Sequence, residues 1–125
     1  MNIKYDSLIE KAKDYKLKWP EKFFENTHSF DEVAEMIALL LFKKILAECH
    51  PELDMAKVDK TSSLYDWNFD WFDQLELQAK LEELLDTTVF PKSKKDFEDL
   101  AIGEIFEEFS MVNQFIKAIK KIIIN

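Results

Sequence analysis

The chain has 125 residues, 47% of them hydrophobic and 14% aromatic, with a net charge of −8. That length fits one domain with a well-filled core, and the acid surplus argues against nucleic-acid binding, which needs cations against phosphates. The single cysteine, Cys49, excludes an intramolecular disulfide, and one Gly and three Pro leave few breaks in long helices.

In chain order, the first predicted element is a helix over residues 3–18, with Leu8, Ile9, Ala12 and Tyr15 on one face. Trp19-Pro20 interrupts it, because the residue before a proline avoids the helical region. A short turn over Pro20 to Glu25 follows, with Pro at its first position. Ser29-Phe30-Asp31-Glu32 reads as a capping box that opens a long helix to about Cys49. Val33, Met36, Ile37, Leu40, Leu41, Ile45 and Leu46 form its broad apolar face. Pro51 bars extension, and Leu53, Met55, Ala56 and Val58 lie in a loop expected to tuck under the bundle. The next helix runs from near Asp70 to about Leu85. Phe72, Leu75, Leu77 in part, Ala79, Leu81, Leu84 and Leu85 are expected inside, and Asp73, Glu76, Glu82 and Glu83 outside. Thr87 to Pro91 ends it. Leu100, Ile105, Phe106 and Phe109 are spaced to close a bundle. Met111 to Ile123 is amphipathic, with Val112, Phe115, Ile116, Ile119, Ile122 and Ile123 on one face and Lys117, Lys120 and Lys121 flanking it. The fold class is all-α.

The charge is unevenly placed. Residues 1–28 hold six Lys and five acids, residues 29–110 eight Lys and twenty acids, and residues 111–125 three Lys and no acid. An acidic middle suits docking to a basic protein surface, although acidity also serves solubility alone. The start of the chain lacks the long apolar core of a secretory signal. The longest apolar run, Ile37 to Phe42, is far short of the roughly 20 residues a membrane span needs. A cytoplasmic address is the expectation. The terminal helix carries too few lysines to argue for a membrane surface; packing on the domain or on a second copy is the reading for its isoleucine stripe.

Residues 62–77, Ser62-Ser63-Leu64-Tyr65-Asp66-Trp67-Asn68-Phe69-Asp70-Trp71-Phe72-Asp73-Gln74-Leu75-Glu76-Leu77, resemble the loop and second helix of acyl and peptidyl carrier proteins. Those carry a run of the form S-x-F/L-x-E-D-L-G-x-D-S-L-D-x-V-E-L. Asp70-Trp71-Phe72-Asp73 falls on D-S-L-D and Leu75-Glu76-Leu77 on V-E-L, with one residue deleted before Trp67. Lys80 to Leu85 with Val89 to Pro91 resemble the close of that helix, and Asp99 to Phe106 the family's last helix. The resemblance covers roughly residues 29–110, with residues 1–28 as an N-terminal helical extension and residues 111–125 as an added C-terminal helix, all in one compact domain. It implies a carrier-protein-like helical bundle.

The departure from the pattern is Trp71. In the family the serine at that place takes the phosphopantetheine arm from coenzyme A, and an indole has no hydroxyl to do so. The resemblance therefore implies a carrier scaffold without the carrier chemistry: no cofactor, no catalysis, and a role in protein interaction. Ser62 and Ser63 are the nearby hydroxyls through which a displaced arm would attach. No Asp precedes Ser63, and Ser62 reads as a cap or turn residue. An acidic helical adaptor or inhibitor unrelated to carriers is the third reading. In the resembling family the face corresponding to Asp66, Asp70, Trp71, Asp73 and Glu76 docks basic partner enzymes of acyl or peptide synthesis. Acids in a first helical turn also complement the helix dipole. The cluster Tyr65, Trp67, Phe69, Trp71 and Phe72 is too dense for all five rings to point inward, so one or two are expected on the surface. Trp71 is the candidate anchor there. A homo-oligomer through the C-terminal helix is the alternative partner. His28 and His50 stand at opposite ends of the long helix without a sequence-adjacent ligand set, and a His at a helix C-terminus complements the dipole.

Overall fold

The computed structural model describes residues 3–90, 105 and 107–125. Among them are four α-helices: α1 (Ile3–Asp14), α2 (Phe30–Cys49), α3 (Trp71–Leu85) and α4 (Val112–Ile123). Four short 3₁₀ turns link them, at Phe23–Glu25, Met55–Lys57, Leu64–Trp67 and Glu107–Phe109. No strand occurs among the described residues. The expected segment Asp99 to Phe106 lies outside them, apart from Ile105, which is buried.

α2 is the central helix, with α1, α3 and α4 all packed on it and α4 the most extensive of the three. Its start follows from Ser29, whose Oγ accepts from Glu32 N at 3.1 Å while the Glu32 carboxylate accepts from Ser29 N at 3.1 Å. The predicted capping box is thus formed and satisfies two of the otherwise orphaned donors at this end. Ala34, Ala38 and Phe42 are buried together with Val33, Ile37, Leu41, Ile45 and Leu46. The apolar stripe is wider than the sequence face because three helices cover α2, and two alanines let a neighbour approach closely. Met36 and Leu40 are only half-buried.

α4 supplies the largest share of the remaining core. Val112, Phe115, Ile116, Ile119 and Ile123 are buried, and Ile122 packs at the margin. Phe115 lies 5.0 Å from Phe42, 5.3 Å from Phe90 and 5.6 Å from Phe109, ring centre to ring centre. The terminal stripe is therefore covered by the same chain. α1 adds Leu8 and Ala12, as its periodicity predicts. Two lysine side chains cap helix C-termini across the fold: Lys44 Nζ donates to Tyr15 O at 2.6 Å, and Lys11 Nζ to Ile123 O. A cation at a helix C-terminus meets the negative end of the dipole. Lys120 of α4 pairs with Asp31 of α2.

The helix ends explain one difference from the sequence reading. α1 stops at Asp14 instead of reaching residue 18, because Lys16 turns left-handed (φ 57°). Leu17 N then bonds Ala12 O and Lys16 N bonds Lys13 O, at 3.0 and 2.9 Å, the two-bond closure of a Schellman end. Asp86 (φ 52°) closes α3 in the same way, and Asn68 (φ 55°) the Leu64–Trp67 turn. All three do without glycine, which normally occupies this position.

α3 differs most from expectation. Its buried residues are Gln74, Leu77, Gln78, Leu81, Glu82 and Leu85, with Leu75 and Leu84 half-buried. Phe72 and Ala79, expected inside, are exposed, and Glu82, expected outside, is buried. At about 100° per residue, Phe72 lies roughly 200° round the helix from Gln74, away from the core. Gln74 is kept inside by a hydrogen bond from Nε2 to Phe109 O at 3.0 Å. The Glu82 carboxylate accepts from Val89 N and Phe90 N at 2.7 and 3.3 Å, closing the loop after the helix. In the loop before α3, Val58 is buried and Leu53 and Met55 pack on the core as expected, whereas Ala56 is exposed.

Candidate interaction face at the start of α3

The segment before α3 is held by backbone pairing to the start of α4. Leu64 N bonds Ser110 O at 2.8 Å, Val112 N bonds Ser62 O at 3.0 Å, and Asn113 N bonds Lys60 O at 3.1 Å. A single antiparallel bridge joins Ser63 and Met111. This clamp fixes where α3 begins, although its two segments lie far apart in sequence.

Three of the four candidate acids are engaged in local structure. Asp70 is the N-cap of α3: its Oδ1 accepts from Asp73 N at 3.1 Å, and Asp73 Oδ2 accepts from Asp70 N at 3.1 Å. Asp66 Oδ2 accepts from Ser63 N at 3.1 Å. These carboxylates satisfy helix-end donors and place negative charge against the positive end of the dipole. Glu76 stands one turn further on and is exposed. The structure thus brings Asp70, Trp71, Asp73 and Glu76 to one end of α3, with Asp66 in the turn just before it.

Ser62 Oγ accepts from Asp59 N at 3.1 Å, and Ser63 Oγ accepts from Tyr65 N at 3.2 Å while donating to Ser110 O at 3.4 Å. Both serines are half-buried turn-formers; the sequence reading assigned that role to Ser62 alone. Trp71, the candidate anchor, is the first residue of α3 and is half-buried. Its ring stacks on Phe72 with centres 4.3 Å apart. Phe72 is the ring that reaches solvent, 64% exposed, and Tyr65 follows at 48%. Two of the five clustered rings are therefore on the surface, as the sequence density predicts. Tyr65 Oη donates to Glu107 at 2.9 Å, a partner 42 residues away that no local pattern indicates. Phe72 could have been found by taking Asp70 as the N-cap and letting Gln74 and Gln78 count as inward positions.

Behind this face, at the junction of α2 and α3, His50 lies near two carboxylates. His50, the C-cap of α2, packs on buried Phe69 with ring centres 4.3 Å apart and planes tilted by 33°. Its Nδ1 is 3.2 Å from Glu52 and its Nε2 3.8 Å from Asp73. Glu52 stands two residues from His50 in sequence, and the fold adds Asp73 from α3. No cluster of three or more His, Cys, Asp or Glu suited to a metal ion occurs among the described residues. Burial, together with a hydrogen bond to Glu76 and its charge, pushes the Cys49 thiol up to about 11. A thiol so held is protonated and a poor nucleophile near neutral pH.

No helix among the described residues is long and apolar enough to cross a membrane. Comparison with protein-family models, with curated proteins and with solved structures finds no significant match to the chain.

Proposed function

We propose that this chain is a non-enzymatic interaction module of carrier-protein-like design that takes no phosphopantetheine arm and docks a basic protein surface at the start of α3. The observation that carries the proposal is the place of Trp71. It is the first residue of α3, directly behind the N-cap Asp70, where the D-S-L-D pattern requires a hydroxyl. An indole cannot form the phosphodiester. The two displaced candidates do not fit the arm either. The Ser62 and Ser63 hydroxyls are both held in turn hydrogen bonds, and neither opens a long helix. An acidic end of a helix, with one exposed ring in its midst, is the arrangement that steers and then anchors a basic partner. In the family this sequence resembles, such partners are enzymes of acyl or peptide synthesis. Self-association through α4 has less to support it, since its apolar stripe is buried within the chain.

The test has two parts. Incubation with coenzyme A and a broad-specificity phosphopantetheinyl transferase leaves the mass unchanged. A gain of one phosphopantetheine mapped to Ser62 or Ser63 makes the chain a working carrier instead. Affinity capture from the native host then compares wild type with Phe72→Ala/Glu76→Lys. These two positions are exposed and stand outside the capping box, so the variant folds while its capture falls. Asp73→Lys is a poorer probe because Asp73 holds the helix start. Capture of the double variant at the wild-type level, unaffected by salt, removes the docking face from this end of α3.

A further inference from the structure

On the N-terminal half of α2, away from the start of α3, lies an open cleft of about 450 Å³. That volume is within the roughly 300–1,000 Å³ of small-ligand sites. Its apolar lining is Met36 and Leu39 of α2, Ile116 of α4 and Phe23 of the turn before α2. Phe23 is stacked between Trp19 at 5.2 Å and His28 at 4.0 Å. His28 Nε2 donates to Phe23 O at 2.7 Å, so this wall is fixed by packing and by a hydrogen bond. The half-buried state of Met36, which the helix pattern places inside, leaves it facing this space.

The rim has a definite sign. Glu32, Glu35 and Asp59 border the cleft; Lys60 lies 3.3 Å from Glu35, His28 Nδ1 lies 3.4 Å from Glu32, and the charge of Lys43, outside the lining, acts on Asp59. Each carboxylate keeps acceptor capacity beyond its present partners, because an ionised carboxylate offers about four lone-pair sites. Glu32 and Asp59 are held below the usual carboxylate range by the hydrogen bonds they accept, from Ser29 and from Thr61 first of all. They stay charged at neutral pH. An apolar floor under an acidic rim rejects anions and leaves a neutral alkyl chain with one end unmatched.

We propose that this cleft binds a free organic cation with a hydrocarbon stem, of the alkylammonium class. The stem covers Met36, Leu39 and Ile116, and the ammonium meets the Glu32–Glu35–Asp59 rim. The site is independent of the docking face and stands whether or not that reading holds.

The probes are butylammonium, hexylammonium, hexanol and hexanoate, titrated into the full chain and followed by NMR and calorimetry. Hexylammonium shifts the Met36 methyl and Ile116 signals at one-to-one stoichiometry. Butylammonium binds about 15-fold more weakly, since it lacks two methylenes and each buried one is worth roughly a fourfold change. Hexanol binds at least several-fold more weakly than hexylammonium, and hexanoate not at all. Glu35→Gln, with folding checked by circular dichroism, weakens hexylammonium several-fold and leaves hexanol unchanged. Hexanol binding as well as hexylammonium, absence of any binding, or shifts away from Met36 and Ile116 each overturn the proposal. Tighter binding of a lysine-containing pentapeptide than of hexylammonium also overturns it, assigning the cleft to a protein partner. If Glu35→Gln fails to fold, the wild-type series decides by itself.

Discussion

At the scale of single residues, exposure separates the roles of the aromatic rings. Phe72 is largely solvent-exposed, so Phe72→Ala changes stability by about 0.5 kcal/mol or less. Phe115, at the centre of the ring cluster, costs about 3–5 kcal/mol when cut to Ala. Urea melts of the two variants check both values. Cys49 offers a second test. Its thiol is raised to about 11 by burial and Glu76, so native protein reacts slowly with thiol reagents at pH 8 and fast once unfolded. The same shift sets an alkaline limit. The folded state holds the proton more tightly than the unfolded one, so this contribution is complete below the ordinary thiol value of 9 and fades as pH rises toward about 11. Glu32 works in the opposite sense. Its folded value is lowered, chiefly by the Ser29 backbone hydrogen bond and then by His28. Its contribution is present above the ordinary carboxylate value of 4.5 and is lost as pH falls through the lowered one. Thermal melts across pH show both limits, and Glu32→Gln flattens the acid one.

At the scale of elements, helix ends and helix faces were legible to different degrees. The Ser29–Glu32 capping box and the stop after Cys49 could be read directly, because both rest on contacts within one turn. Ser29→Ala costs about 1 kcal/mol by denaturant melting. The end of α1 could not be read, because it depends on a left-handed Lys16 and no glycine marks the place. Lys16→Gly relieves the left-handed strain of about 1–2 kcal/mol, against a chain-entropy cost of about 0.5–1 kcal/mol. The net expectation is a gain of about 0.5–1 kcal/mol, visible as a higher Tm. The inward face of α3 was half legible. Leu77, Leu81 and Leu85 follow helical spacing. Gln74, Gln78 and Glu82 share their face because Gln74 and Glu82 find backbone partners outside the helix. Leu81→Asp places an unpaired charge there and costs more than about 4 kcal/mol, enough to unfold a marginal domain.

At the scale of the whole molecule, α2 is a strut and the other helices are its cover. The two terminal helices, α1 and α4, are joined to that core. α1 buries Leu8 and Ala12, α4 buries five side chains, and Lys11 of α1 caps the end of α4. Deletion of residues 111–125 therefore abolishes cooperative unfolding, as followed by circular dichroism, rather than releasing an independent bundle. The start of α3 is likewise a product of the whole, since the loop ahead of it is paired to residues 110–113.

The sequence by itself determined the all-α class, the start and end of α2, the stripe of α4, and the absence of a hydroxyl at Trp71. Each rests on residue identity or on periodicity within a few turns, which local sterics and local hydrogen bonds decide. Only the tertiary structure decided that Gln74, Gln78 and Glu82 lie on the buried face of α3, that Asp73 comes beside His50, and that the α4 stripe is covered by α2. It also assembled the acid-rimmed cleft from the turn at Phe23, from α2, from Asp59 and from Ile116. Those outcomes depend on which element lies opposite which, and that is settled by packing between segments up to a hundred residues apart.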